Sequence, residues 1–106
     1  MKKNILIFIL PFFLSLFIFN FVQAKNTFFQ EGKILFDKKK YVDSKLYFEK
    51  DLVYNPKSEK SYLYLAKIFK NQKKESLEEN NLNTVLLLNP KNEEAIYLLT
   101  LLNIKK

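Results

Sequence analysis

Cysteine, histidine and arginine are absent from this 106-residue chain, and each absence excludes a class of function. Without cysteine there is no disulfide, no thiol nucleophile and no cysteine-linked lipid anchor. Without histidine or a glycine-rich phosphate loop, imidazole catalysis and nucleotide binding of the P-loop kind are excluded. All 18 basic residues are lysine, so the bidentate base and phosphate contacts of arginine cannot form. The sequence therefore predicts no enzyme, no nucleic-acid partner, no metal and no cofactor.

An apolar run near the N-terminus divides the chain into two parts. Residues 5–21 are almost wholly apolar and follow a basic start with Lys2 and Lys3. The run closes on Val22-Gln23-Ala24, and this order is typical of a secretory signal peptide cleaved after Ala24. A run of 17 residues also lies at the short edge of what spans a bilayer, so an uncleaved inner-membrane anchor is the alternative.

The remaining residues, 25–106, are expected to form one domain outside the cytoplasm. A cleaved signal predicts a periplasmic or secreted protein, and a retained one predicts an inner-membrane anchor for the same domain. The domain carries a formal charge of about +5, which would suit contact with an anionic membrane or an acidic protein. The bias toward lysine and asparagine expected of an AT-rich genome explains this charge more simply than a dedicated polyanion site does.

The pattern of apolar residues predicts an all-α fold for this domain. It contains one glycine and two prolines, and no run of strict alternation long enough for a sheet. Apolar residues instead recur at steps of three and four, which is the spacing of amphipathic helices. Five helices are predicted, with turns near residues 38–40, 55–56, 71–74 and 89–90 and a last helix over residues 93–103.

A fixed period is the strongest pattern in the sequence. Asn-Pro occurs at residues 55–56 and again at 89–90, 34 residues later. The same shift aligns Phe28 with Tyr62, and Gly32 with Ala66. A helix-turn-helix unit of this length resembles the tetratricopeptide repeat family, from about Asn26 to the end of the chain.

The resemblance implies antiparallel helix pairs stacked as a short α-solenoid of about two and a half units, after an N-terminal apolar helix. The chain departs from the family where two alanines pack the helices of each unit together. These positions hold Ser44 and Asp51 in the first unit, and Glu78 and Val85 in the second. Acids at such an interface are expected to cost stability and to loosen the packing.

The resemblance also implies a binding site for a peptide or protein, because the first helix of each tetratricopeptide unit lines a concave groove. The groove residues carried over by position are aromatic, aliphatic or basic: Phe29, Lys33, Phe36, Lys60, Leu63, Tyr64, Lys67 and Lys70. Lysines beside aromatic rings would suit an acidic or C-terminal carboxylate peptide. The alternative is that these lysines are only the solvated side of amphipathic helices.

The last helix is expected to be a second contact surface. It is apolar around most of its circumference, and a terminal repeat with a polar outer face would not be. The predicted contact residues are Tyr97, Leu98, Leu101 and Leu102. An exposed apolar face of this kind predicts a protein partner, a homo-oligomer or membrane contact.

Adjacent acids at Glu78-Glu79 and Glu93-Glu94 are the remaining candidates for chemistry. Neighbouring residues on a helix do not face each other, so neither pair predicts an acid–base dyad. Both pairs are read as solvated helix faces, in keeping with a binding module.

Overall fold

The computed structural model describes residues 27–106, so the predicted signal peptide or anchor at residues 1–24 lies outside the described residues. The described part is built from five α-helices joined by short turns, and no β-strand occurs within it. The helices are α1 (residues 27–37), α2 (Tyr41–Tyr54), α3 (Glu59–Asn71), α4 (Glu75–Leu88) and α5 (Glu93–Lys105). Each packs on the next one along the chain. These observations confirm the all-α prediction and the packing of adjacent helices.

Two of the turns use the same backbone geometry, and they occur at the lysine-rich segments. Lys39 and Lys73 have positive φ angles of 61° and 58°. In the first turn the Lys40 N–H donates to the carbonyl of Leu35, and the Lys39 N–H donates to that of Phe36, both at 2.9 Å. The same two hydrogen bonds recur 34 residues later. Together they form the Schellman arrangement that ends helices α1 and α3.

The other two turns follow the Asn-Pro pairs. Asn55 and Asn89 leave the helical region, with φ angles of −127° and −145°, because the following proline ring disfavours helical backbone there. The next helix is then capped by a side chain in each case. Ser58 accepts a hydrogen bond from the N–H of Ser61, and Asn92 accepts one from the N–H of Ala95. Such caps satisfy backbone donors that a helix leaves unpaired at its start.

Two clusters of buried residues form the core, and α3 contributes to both. The first cluster joins α3, α4 and α5 through Leu63, Ala66, Leu82, Val85 and Ala95. The second cluster joins α2 and α3 through Phe48, Leu65, Ile68 and Phe69. Since the two clusters lie on different sides of the same helix, α3 is the centre of the fold.

All four residues at the expected helix-packing positions are buried. Ser44 and Val85 have no exposed surface, and Asp51 and Glu78 are 3% and 4% exposed. The hydroxyl of Ser61, on the following helix, donates to Asp51 at 2.5 Å. The acid in the first unit therefore has a partner inside the core, which offsets the cost expected from its burial.

Candidate protein-binding surface

An aromatic cluster centred on Tyr64 joins helices α1, α2 and α3. The Tyr64 ring stacks on Phe48 at a centroid distance of 5.0 Å and an interplanar angle of 20°. Phe36 and Phe29 meet the same ring edge-on, at 5.1 and 5.7 Å. Phe48 is fully buried, whereas the other three rings are only partly covered. These offset and edge-on contacts hold α1 against α3 and leave part of each outer ring exposed.

Two lysines lie over these rings. The Lys60 Nζ atom is 6.0 Å from the centroid of Phe29, and the Lys67 Nζ atom is 4.7 Å from that of Tyr64. Lys67 is also 2.5 Å from the Oε1 atom of Glu94, at the start of α5. Cation–π contacts of this length are attractive, and they bring positive charge to an aromatic surface.

Five of the eight residues predicted for the groove thus come together, and we call them the aromatic–lysine surface: Phe29, Phe36, Lys60, Tyr64 and Lys67. The other three lie elsewhere. Lys33 is exposed on α1, and Leu63 is 7% exposed within the first core cluster. Lys70 lines a separate cleft near the end of α3.

Two residues of this region escaped the sequence reasoning. Tyr41 packs edge-on against Phe36 at 5.4 Å, and Glu94 is the counter-ion of Lys67. A signal for Glu94 was present, because the 34-residue shift aligns this acid with Lys60. A reversal of charge between equivalent positions of two units was the feature to notice.

The structure divides the predicted contact residues of α5 between two faces. Leu102 is 4% exposed, and Leu98 packs against the first core cluster. Tyr97 and Leu101 point away from the core, as does Ile104. Self-association through α5 stays a prediction, and the outward residues are those on which it depends.

The cleft beside Lys70 lies between the end of α3, the start of α4 and the end of α5. Its volume is about 180 Å³, and its lining includes Leu102, Lys105 and Glu78. Burial raises the pKa of the Glu78 carboxyl, and the positive charges of Lys70 and Lys105 act against this rise. Three lysines and two acids share the lining, so the cleft has no charge of one dominant sign.

Neither a metal site nor a membrane span is found in the part of the chain that the structure describes. No group of three or more acidic, histidine or cysteine side chains could hold a metal ion within residues 27–106. Over the same residues, no helix is long and apolar enough to cross a bilayer. Comparison with known protein families and with curated proteins yields no match to this chain.

Proposed function

We propose that this protein is an exported, tetratricopeptide-like interaction module that binds a peptide or protein through the aromatic–lysine surface. The observation that carries the proposal is direct contact between alternate helices. Phe29 and Phe36 of α1 touch Tyr64 of α3, and Lys67 of α3 pairs with Glu94 of α5. One side of α1, α3 and α5 is therefore a connected surface, as a repeat groove requires.

The recurrence of backbone geometry supports the tetratricopeptide part of the proposal. The left-handed residues Lys39 and Lys73 are 34 positions apart, and so are the caps Ser58 and Asn92. A sequence period alone can arise from composition. A period that also repeats turn conformations and hydrogen bonds is what stacked, equivalent units would produce.

The charges of the surface favour a partner with carboxylate groups. Lys60 is exposed, and its ammonium group lies over the Phe29 ring. Lys67 already holds one carboxylate, that of Glu94, beside the Tyr64 ring. A carboxylate of the partner could take the place of Glu94 or approach Lys60, while apolar side chains cover the exposed ring edges.

Fluorescence anisotropy with short labelled peptides tests this function. We expect an acidic peptide with a free C-terminal carboxylate to bind more tightly than its amidated form, and a basic peptide not to bind. Lys60→Glu should weaken binding of the acidic peptide, because it places like charge at the contact. Lys91→Glu is the matched control, since Lys91 is also exposed but lies in the α4–α5 turn. Equal binding by both variants would remove the aromatic–lysine surface from consideration.

Export is tested separately, at the N-terminus. Mass spectrometry of the protein recovered from the cell envelope distinguishes a cleaved signal from an anchor. A mature start at Lys25 supports a periplasmic or secreted domain. A retained Met1 in the membrane fraction supports the alternative, an inner-membrane anchored protein, and recovery of an unprocessed chain from the cytoplasm contradicts both.

A further inference from the structure

The helices have two kinds of ends, and the difference concerns lysine. Short turns reverse the chain, so the ends of α1, α3 and α5 lie beside the starts of α2 and α4. Ion pairs from Lys105 to Glu75 and from Lys106 to Glu79, at 3.3 and 2.6 Å, show this for α5 and α4. We call this the lysine end, because its two turns hold five exposed lysines: Lys38, Lys39, Lys40, Lys73 and Lys74. The opposite, Asn-Pro end has one lysine in each turn, Lys57 and Lys91.

Lysine occupies positions at this end that local structure reserves for glycine. Lys39 and Lys73 have left-handed backbone, with φ angles of 61° and 58°. A side chain with a Cβ atom is disfavoured in this conformation, and glycine is the usual residue at this point of a Schellman turn. Both turns therefore carry a backbone cost that glycine would remove.

Lysine also replaces the usual capping residues at the same end. Lys40 and Lys74 are the N-caps of α2 and α4, and neither forms a side-chain cap. An ammonium group has no acceptor for the backbone N–H groups, and its charge is unfavourable at the positive end of the helix dipole. At the Asn-Pro end, Ser58 and Asn92 cap α3 and α5 through their side-chain oxygens. Only one end of the molecule therefore departs from favourable caps.

These lysines carry no charge partner within the protein. None of the ion pairs formed among residues 27–106 includes any of the five turn lysines. Two aliphatic side chains, Val42 and Ile104, project close to them in sequence or at the same end, and each is 76% exposed. Exposed positive charge beside protruding aliphatic groups is the composition of surfaces that bind the membrane interface.

From these observations we infer that the lysine end binds the surface of an anionic lipid bilayer. Residues that cost local stability in the isolated protein are often kept at functional sites, and four of the five turn lysines occupy such positions. A bilayer fits better than a compact partner because the charges are spread over two turns and are all lysine. Ammonium groups act as point charges, which suit a diffuse layer of phosphate headgroups, whereas shape-specific recognition favours arginine. The inference does not depend on the aromatic–lysine surface.

The strength of the contact follows from the number of lysines. One lysine near an anionic membrane changes the affinity by about fivefold. Removing two of the five should therefore weaken the contact by roughly 30-fold. High salt should abolish it, because exposed charges are screened over about 3 Å at 1 M ionic strength.

A pair of fluorescent labels on the same helix tests the orientation. The chain has no cysteine, so Ser76→Cys near the start of α4 and Leu87→Cys near its end each give one labelling site. Both residues are exposed, and they lie about 16 Å apart along the helix. The labelled full-length chain is mixed with vesicles that contain nitroxide-labelled phosphatidylcholine, with or without phosphatidylglycerol. The comparison of the two labels holds even if residues 5–21 insert into the bilayer.

We expect stronger quenching at position 76 than at 87 with phosphatidylglycerol, and no difference without it or at high salt. The double variant Lys39→Gly with Lys73→Gly should need more phosphatidylglycerol for the same quenching, although its urea midpoint should rise. This rise separates lost binding from lost folding, and Lys57→Gly with Lys91→Gly is the charge-matched control. Equal quenching at both labels would overturn the inference and leave composition as the cause of the lysines. Binding to polyglutamate without any response to phosphatidylglycerol would also overturn it, in favour of an acidic protein.

Discussion

The pair formed by α1 and α2 and the pair formed by α3 and α4 close equivalent interfaces with different side chains. In the first pair a glycine faces a large ring, since a Cβ atom on Gly32 would lie 2.8 Å from Cε1 of Phe48. In the second pair the equivalent residues are Ala66 and Leu82, both buried in one cluster. The two pairs thus divide the same space differently between neighbouring side chains.

The polar positions of the two pairs differ more. In the first pair, the Ser44 hydroxyl donates to the carbonyl of Gly32 at 2.7 Å, and Asp51 accepts hydrogen bonds from Ser61 and Asn55. In the second pair the position equivalent to Asp51 is Val85, which packs in an apolar cluster. A buried carboxylate is therefore tolerated where the next helix supplies a donor, and the second pair places no acid at that position.

Val85→Asp should give the largest effect, because it places an acid in the second pair without the donors of the first. An unpaired carboxylate in an apolar cluster is expected to cost roughly 3–5 kcal/mol of folding free energy. Urea unfolding followed by circular dichroism measures this loss. The reverse exchange, Asp51→Val, should cost only about 1–3 kcal/mol, for the hydrogen bonds it removes. Equal losses would show that the two interfaces do not differ as described.

Gly32→Ala should destabilise the first pair through overpacking against Phe48. Overpacking costs roughly 1–3 kcal/mol, and the better helix propensity of alanine offsets about 0.5–1 kcal/mol of it. In the second pair a much larger residue is needed, and Ala66→Phe should cost roughly 1–3 kcal/mol. Urea midpoints of the two variants measure both costs. A Gly32→Ala variant more stable than the wild type would mean that the Phe48 ring moves aside at no cost.

Glu78→Gln should reveal a pH-dependent penalty confined to the second pair. Burial raises the pKa of Glu78, so the folded state binds its proton more tightly than the unfolded state does. The stability linked to this proton is complete below the ordinary glutamate pKa and is lost as the pH rises through the folded value. Glu78→Gln should therefore match the wild type near pH 4 and exceed it in urea midpoint at neutral pH. Glu79→Gln, which lies beside it and pairs with Lys106, should show no such gain.

The smallest expected effect is one that the two pairs share. Lys39→Gly and Lys73→Gly should each raise the free energy of unfolding by about 0.5–1 kcal/mol, because glycine relieves the left-handed backbone. Gains of similar size would show that the lysine turns are equivalent. Lys70→Gly, inside α3, is the control and should lower stability by about 1 kcal/mol.

Helix positions followed from the sequence because their signals are local. The Asn-Pro pairs predicted two helix ends, and α2 and α4 do end at Tyr54 and Leu88. The last helix, predicted over residues 93–103, runs two residues further, to Lys105. A helix end without proline or glycine has no strong local signal, so this boundary was the least certain.

Contacts between units could not be read from the pattern in the same way. The partner of Asp51 is Ser61, on the next helix, and nothing in their separation of ten residues marks a hydrogen bond. The left-handed backbone of Lys39 was equally hidden, because glycine or asparagine is the usual signal for it. The lysine–aromatic groove was predicted by resemblance, and five of its eight residues do lie together. Leu63 was misplaced onto that set because helical phase alone does not say which side a neighbouring helix will cover.

The central place of α3 has a consequence for how the protein unfolds. This helix touches each of the other four, through Tyr64 on the side of α1 and α2 and through Leu63 and Lys67 on the side of α4 and α5. Neither half can detach without exposing apolar surface on α3, so partial opening is disfavoured. The described helices should therefore melt together, in one cooperative transition, despite the repeated character of the sequence.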